Sequence, residues 1–307
     1  MHGVETHGGA HPHTTLILGN STGRIGTEPF WSEDLPKIAG IGRGTIVQVI
    51  GEVTVYRGRR RQLRITSIRP LPAGTIEPRR LLPSVGDVAP YWERLDHWRA
   101  AVRGPRLRAV LALFYDDPEF RARYEGCPGS TRGHHAALGG LLKHTVEVAT
   151  IARAIGRTAG ADLDLLLAGA LLHDLGKLEA YDWAGGSGGF EPTELNALHG
   201  HVVLGALLLD RMVRSSHPMA CTEQELAILI HLVLSHHGKP EYGAPVPPRT
   251  LEAEILHWAD NASAKSASMA EALRNASNFA PGAEISEPAA ELDRRRLYRG
   301  RSDWGAE

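Results

Sequence analysis

The chain has 307 residues, 42% of them hydrophobic and 22% charged, with a formal net charge of −1. That length allows a sizeable core in one large domain or two ordinary ones, and the composition excludes wholesale disorder. No apolar run, the longest being Leu165 to Leu172, reaches the ~20 residues of a membrane-spanning helix, and two cysteines, Cys127 and Cys221, far apart, exclude a disulfide framework or a cysteine-based zinc finger.

Residues 1–13, MHGVETHGGAHPH, read as a disordered leader sprinkled with His2, His7, His11 and His13. They lack the basic and apolar regions of a secretory signal, so a cytoplasmic location without membrane association is expected. From Thr14 to about Ile68, TTLILG, GTIVQVIGEVTVY and QLRITSI show β-branched alternation punctuated by Gly19-Asn20, Gly40 and Gly58, which predicts a small β domain over 14–69. Residues 57 to 80 carry eight arginines (57, 59, 60, 61, 64, 69, 79 and 80) against Glu77 alone, a basicity that suits polyanions. Arg57, Arg59, Arg60 and Arg61 read equally as phosphate contacts or as a strand edge blunted by charge against aggregation. Trp31 and Tyr56 are candidates to stack on bases, although half-buried aromatics are as common in small β domains.

The proline-rich stretch 70–90 predicts a linker, after which every recognisable segment is helical. Helices are predicted at Ala89–Arg103, Pro105–Tyr115, Leu138–Ile155, Asp162–Leu178, Leu198–Val213, Thr222–His237 and Thr250–Asn275. Thr222 with Glu225 three positions on forms a capping box, and Gly238 should stop that helix. GGSGG at 185–189 matches the serine-hydrolase pattern G-x-S-x-G, but here it follows a helix instead of opening a strand-to-helix elbow, so Ser187 is assigned no nucleophilic role.

Along the helical region the sequence offers His144, His173-Asp174, His201, His236-His237 and Asp260, each on or at the end of an apolar helix. Singly, each histidine reads as a core residue with one satisfied hydrogen bond. Burying all seven without partners would cost several kcal/mol per charged group, whereas divalent cations satisfy them together. His173 and Asp174 would reach one ion from the same turn, with Asp174 able to bridge two. His236 and His237 sit at a helix C-terminus, where unpaired carbonyls favour cations. Such ligands without thiolates suit manganese, iron, zinc, magnesium, nickel or cobalt. Two neighbouring metals would lower the pKa of a water and neutralise charge on phosphoryl oxygens, with Lys177, one turn beyond His173, contacting the same phosphate or standing solvated.

The run LLLAGALLHDLGK resembles the signature helix of the HD superfamily of metal-dependent phosphohydrolases. HHAALGGLLKHTVEVA, GHVVLGALLL, LVLSHHGKPEYG and LEAEILHWADNASAK are similar to successive blocks of the YhaM-type 3′-to-5′ exoribonucleases. The resemblance implies an α+β multidomain chain: a small N-terminal OB-like β-barrel, then an all-α HD domain over 91–280. It implies two divalent ions, manganese foremost, with His144, His173, Asp174 and Asp260 holding one and Asp174, His201, His236 and His237 the second. His134-His135 matches a family pair, and His135 is expected near substrate. LDRRRLYRG is similar to the family's closing segment, implying that residues 281–307 dock onto the HD domain. One departure stands out: the family's first strand should precede TTLILGNSTGRIG, where this chain has only the leader, so the barrel is expected to be incomplete unless a partner chain fills the gap.

The resulting expectation is a metal-dependent exonuclease acting from the 3′ end of single-stranded RNA or DNA, with Asp174 and Lys177 central to the chemistry and homo-oligomers allowed. A nucleotide or cyclic-dinucleotide phosphohydrolase is the nearest alternative, since the ligand order suits small phosphate esters too. It is lowered because Glu241-Tyr242-Gly243-Ala244-Pro245 stands where the cyclic-dinucleotide branch has Gly-Tyr-Pro. A nucleic-acid-binding protein with a structural metal site is the rival from another class. His199, His231 and His257 are expected in surface, core or outer-layer roles.

Overall fold

In the computed structural model the first hairpin starts almost at the N-terminus. Strand β1 (Gly3–His7) pairs antiparallel with β2 (His13–Asn20), from Gly3 opposite Ile17 to His7 opposite His13, and β3 (Gly23–Gly26) takes the other edge of β2. The leader is therefore not disordered: it supplies a strand ahead of TTLILG, and Met1 is buried with its amine donating to the Thr45 carbonyl at 3.0 Å. Its histidine- and glycine-rich sequence has little β propensity of its own, so the strand owes its order to the pairing with β2. β2 alternates as its sequence predicts, burying Thr14, Leu16 and Leu18 on one face.

β4 (Val47–Tyr56) and β5 (Arg60–Pro70) form a second antiparallel ribbon with a bulge between Ile50 and Gly51. A side chain at Gly51 would collide with the Arg64 carbonyl, so the bulge needs glycine there. A bridge between Thr27 and Leu63 joins the two sheets, and Met1, Leu16, Leu18, Phe30, Ile38 and Ile41 form their core.

The helical elements are α1 (Ala89–Ala101), α2 (Pro105–Tyr115), α3 (Pro118–Gly126), α4 (Gly140–Ala159), α5 (Leu163–Leu172) and α6 (Lys177–Ala180). Two-residue strands β6 (Tyr181–Asp182) and β7 (Glu191–Pro192) pair, followed by α7 (Glu194–Ser215), α8 (Glu223–Ser235) and α9 (Leu251–Arg274). Helix α3 was not expected; Asp117 caps it by accepting from the Glu119 amide. α5 is apolar nearly all round, as a central helix must be, and packs against α1, α2, α4 and α8. Each fully buried leucine in it contributes roughly 1.5–3 kcal/mol. The Thr222–Glu225 capping box is present at the start of α8.

The structure describes residues 1–9, 11–56, 60–131, 133, 135–183, 189–280, 282–289 and 292–300, the side chain of Arg60 excepted. The chain divides into two units: Met1–Pro83 with Ala184–Gly189 and Ser268–Glu307, and Ser84–Trp183 with Phe190–Ala267. The closing segment from Ser268 thus groups with the β-rich unit. Among the described residues no helix is long and apolar enough to cross a membrane.

Candidate metal centre

The expected long helix over Asp162–Leu178 breaks after Leu172, and the break builds the site. His173 caps α5, Asp174 lies in the following turn, and Lys177 opens α6. A Cβ on Gly176 would collide with the His201 carbonyl and the Gly205 amide, so the bare glycine lets this turn press onto α7. α7 is itself interrupted at Gly200 (φ 71, ψ 152), immediately before His201.

The seven side chains singled out in the sequence meet here. Asp174 lies at the centre with its two oxygens turned to different groups. Oδ2 faces His144 Nε2 at 3.4 Å and His173 Nε2 at 3.1 Å, while Oδ1 faces His201 Nε2 at 3.5 Å and His236 Nε2 at 3.7 Å. Asp260, from α9, brings Oδ1 to 3.0 Å from His144 Nε2 and 3.9 Å from His173 Nε2. The ligand atoms of His144, His173 and Asp174 lie within 4.8 Å of one another, as do those of His201, His236 and His237.

The opposite ring nitrogens explain the orientation. Nδ1 of His173, His236 and His237 lies 2.8, 2.7 and 2.7 Å from the carbonyls of Ala170, Val233 and Tyr242. A carbonyl only accepts, so each Nδ1 carries a proton and each Nε2 is turned inward. His257 donates likewise to the His236 carbonyl at 3.0 Å, anchoring the end of α8.

Burial works against the charge of Asp174, yet Lys177, whose Nζ lies 2.6 Å from Oδ2, and His173 hold its carboxyl well below the usual carboxylate range. Burial likewise opposes the Asp260 charge, and the hydrogen bond with His144 holds that carboxyl low. Burial pushes His201 down to about 3 and His236 well below the usual imidazole value, so both are neutral and ligand-ready. His144 differs: burial opposes its protonation, but Asp174 and Asp260 raise it to about 8. A proton or a cation can take the place between its Nε2 and the two carboxylates.

The donor set fits divalent cations. Nε2 of His201 and of His236 is buried with no hydrogen-bond partner among the described residues, although buried polar atoms are nearly always satisfied. Five imidazoles and the Asp260 carboxylate offer nitrogen and oxygen donors on the two sides of Asp174, a set that would suit divalent cations.

Of the other candidates, His135 adjoins the cluster, its ring centroid 5.3 Å from that of His144. The His135 side chain is buried, with Nε2 3.0 Å from Glu147 Oε2. Trp31, Tyr56 and Arg61 are exposed residues of the β-rich unit. Arg57, Arg59, His134, Ser187 and the side chain of Arg60 lie outside the described residues. Arg64 pairs with Glu28 at 3.1 Å. His199 is exposed, and His231 accepts from the Arg249 amide at 3.0 Å. Sequence reasoning passed over Glu147 and Ser263, which stand next to the cluster. Their one signal is spacing, since each follows a candidate ligand, His144 or Asp260, by three residues on the same helix face.

A family model described as HD domain matches residues 141–265. The 3'-5' exoribonuclease YhaM of Bacillus velezensis is 33% identical over 297 residues, covering 94% of this chain and 88% of that protein. The proteins of that name from Bacillus licheniformis and Bacillus subtilis are 32% and 31% identical over 294 residues, with the same coverage. No solved structure matches the chain.

Proposed function

We propose, for a chain that belongs to the family of the YhaM 3′-5′ exoribonucleases, that it is a metal-dependent 3′-to-5′ exonuclease of single-stranded RNA, with DNA as a second substrate. The observation that carries the reading is the convergence of five imidazoles and a second carboxylate, Asp260, around Asp174. His144, His173, Asp174 and Asp260 would hold one divalent cation, and Asp174 with His201, His236 and His237 the second, with manganese the ion of choice. Bound there, such cations lower the pKa of a water and neutralise charge on phosphoryl oxygens.

The chain's own residues do the rest. The carbonyl-bonded Nδ1 atoms fix three of the rings before any ligand arrives, so little reorganisation is needed during reaction. Lys177 is buried beside Asp174; burial opposes its charge, but Asp174 raises its pKa and keeps the ammonium protonated. That fixed positive charge lies within a side chain's reach of a phosphate held at the cluster. In the β-rich unit, Arg61, Trp31 and Tyr56 offer charge and rings to the strand, in the manner of an OB-like module.

5′-Labelled RNA and DNA single strands incubated with the protein and Mn²⁺ should give descending ladders, at stated ionic strength. A protein that holds Mn²⁺ yet leaves both strands intact, while hydrolysing mononucleotides or cyclic dinucleotides, would replace this reading with the small-ester one.

A further inference from the structure

His173, His236 and His237 are held through Nδ1 by main-chain carbonyls, but His144 is held by a side chain: its Nδ1 lies 3.0 Å from Ser263 Oγ. Ser263, buried on α9, donates its single hydroxyl proton to Glu147 Oε2 at 2.8 Å. Toward His144 that hydroxyl can only accept, so the proton between them belongs to His144 Nδ1. Glu147 Oε2 also lies 3.0 Å from His135 Nε2, and Glu147 Oε1 lies 3.9 Å from Lys143 Nζ. The chain of contacts therefore runs from His135 through Glu147 and Ser263 to His144.

The far end of this chain is held by unusual backbone. His135 has φ 54, a left-handed conformation that a non-glycine residue seldom adopts. Its carbonyl accepts from the amides of Gly129 and Ala137, both at 2.8 Å. A Cβ on Gly140 would collide with that carbonyl, and one on Gly129 would lie 2.6 Å from the His135 Cβ. Two glycines and a strained backbone thus bring a buried imidazole against the Glu147 carboxylate, which is hard to explain by apolar packing alone.

We infer that His135, Glu147 and Ser263 are positioning residues that fix the Nδ1-protonated tautomer and ring orientation of His144, presenting its Nε2 to the cation shared with His173, Asp174 and Asp260. This rests on the metal-dependent reading above, and it assigns His135 to the metal site instead of to substrate. Outer partners of this kind raise ligand basicity and hold the ring in place.

The test uses the full chain, stripped with chelator and titrated with Mn²⁺ by calorimetry. Long-range proton–nitrogen spectra of the metal-free protein, recorded above the His144 value of about 8 so that the ring is neutral, report the His144 tautomer, and thermal melts report folding. Ser263→Ala should weaken Mn²⁺ binding by ~10- to 100-fold and give a mixture of His144 tautomers, while Ser263→Thr, which keeps the hydroxyl, restores both. Glu147→Gln is the second variant: its amide can reverse the Ser263 hydrogen bond, so the tautomer should shift although side-chain size is kept. Wild-type affinity with an unchanged tautomer in Ser263→Ala and Glu147→Gln overturns the relay, as does an affinity loss that Ser263→Thr shares while the tautomer stays put. A wild-type chain that binds no Mn²⁺ overturns the metal-dependent reading and the relay with it.

Discussion

In the helical unit Asp174 is buried among four imidazoles, whereas in the β-rich unit Arg61 and Tyr56 lie exposed along β4 and β5. Both regions gather residues suited to a phosphate-rich substrate, but only the first does so at a cost. A buried carboxylate is expensive unless it is paired or coordinated, so the cluster around Asp174 demands a reason for existing. An exposed arginine costs nothing to keep and implies nothing by itself. Chemistry can be argued from structure where burial makes the bland reading expensive.

The sharpest way to break this contrast is Asp174→Ala. If the carboxylate bridges two cations, hydrolysis of labelled RNA should fall by ~10³-fold or more, since several kcal/mol of charge stabilisation goes with the metals. Strand binding, measured by fluorescence anisotropy, should survive. Undiminished hydrolysis would make the cluster a structural device and the helical unit a scaffold.

Metal removal probes the same contrast through stability. A cation that binds only the folded site stabilises it by about 2.7 kcal/mol at a hundredfold excess over its dissociation constant. Melting followed by intrinsic fluorescence should show chelator lowering the transition of the helical unit by a few degrees, with Mn²⁺ restoring it. A melt indifferent to chelator in protein shown to bind Mn²⁺ would mean that the buried nitrogens of His201 and His236 are tolerated without a partner.

For the exposed region the effects should be smaller and of another kind. Tyr56→Ala should weaken single-strand binding by about 1–3 kcal/mol if the ring stacks on a base. Arg61→Ala should lower the slope of log affinity against log salt by about 1 if it meets a phosphate. Neither should change the rate at saturating substrate. No change in affinity or in salt slope would leave these residues as the charged edge of a sheet.

What could be read from sequence follows the same division. The cluster was legible because several histidines inside apolar helical patterns are hard to explain singly, and α2 was placed from Pro105 to Tyr115 by periodicity. The turn at His173–Gly176 was not, because its cause is the pressing of Gly176 against His201 and Gly205, a contact between segments distant in the chain. β1 was missed for the same reason: Gly3–His7 gains its order from β2 and not from its own residues. The Glu147 partner of His135 was not legible either, because it is invisible until the loop is seen to curl back on α4.

The smallest expected effect asks whether burial, and not membership of the helical unit, separates the two regions. Glu225 also belongs to the helical unit, but it is solvent-facing: it ties α8 to α2 through Arg106 at 2.7 Å and closes the capping box with Thr222. The Arg106 hydrogen bond, with that from the Thr222 backbone, lowers its carboxyl to about 2, from 4.5 for the free side chain. A carboxyl depressed in the folded state adds stability that is present above pH 4.5 and fades as pH falls through about 2, because the unfolded chain takes up the proton first. Solvent screening limits the ion-pair part of this to under about 1 kcal/mol. Denaturant titrations of wild type and Glu225→Gln should therefore differ slightly at pH 7 and converge toward pH 2. A gap that persists at pH 2 would assign the effect to packing or to the cap geometry. A gap of several kcal/mol at pH 7 would mean that exposed charge in this unit is held as firmly as Asp174, and burial would no longer be what distinguishes the metal centre from the arginine-rich strand.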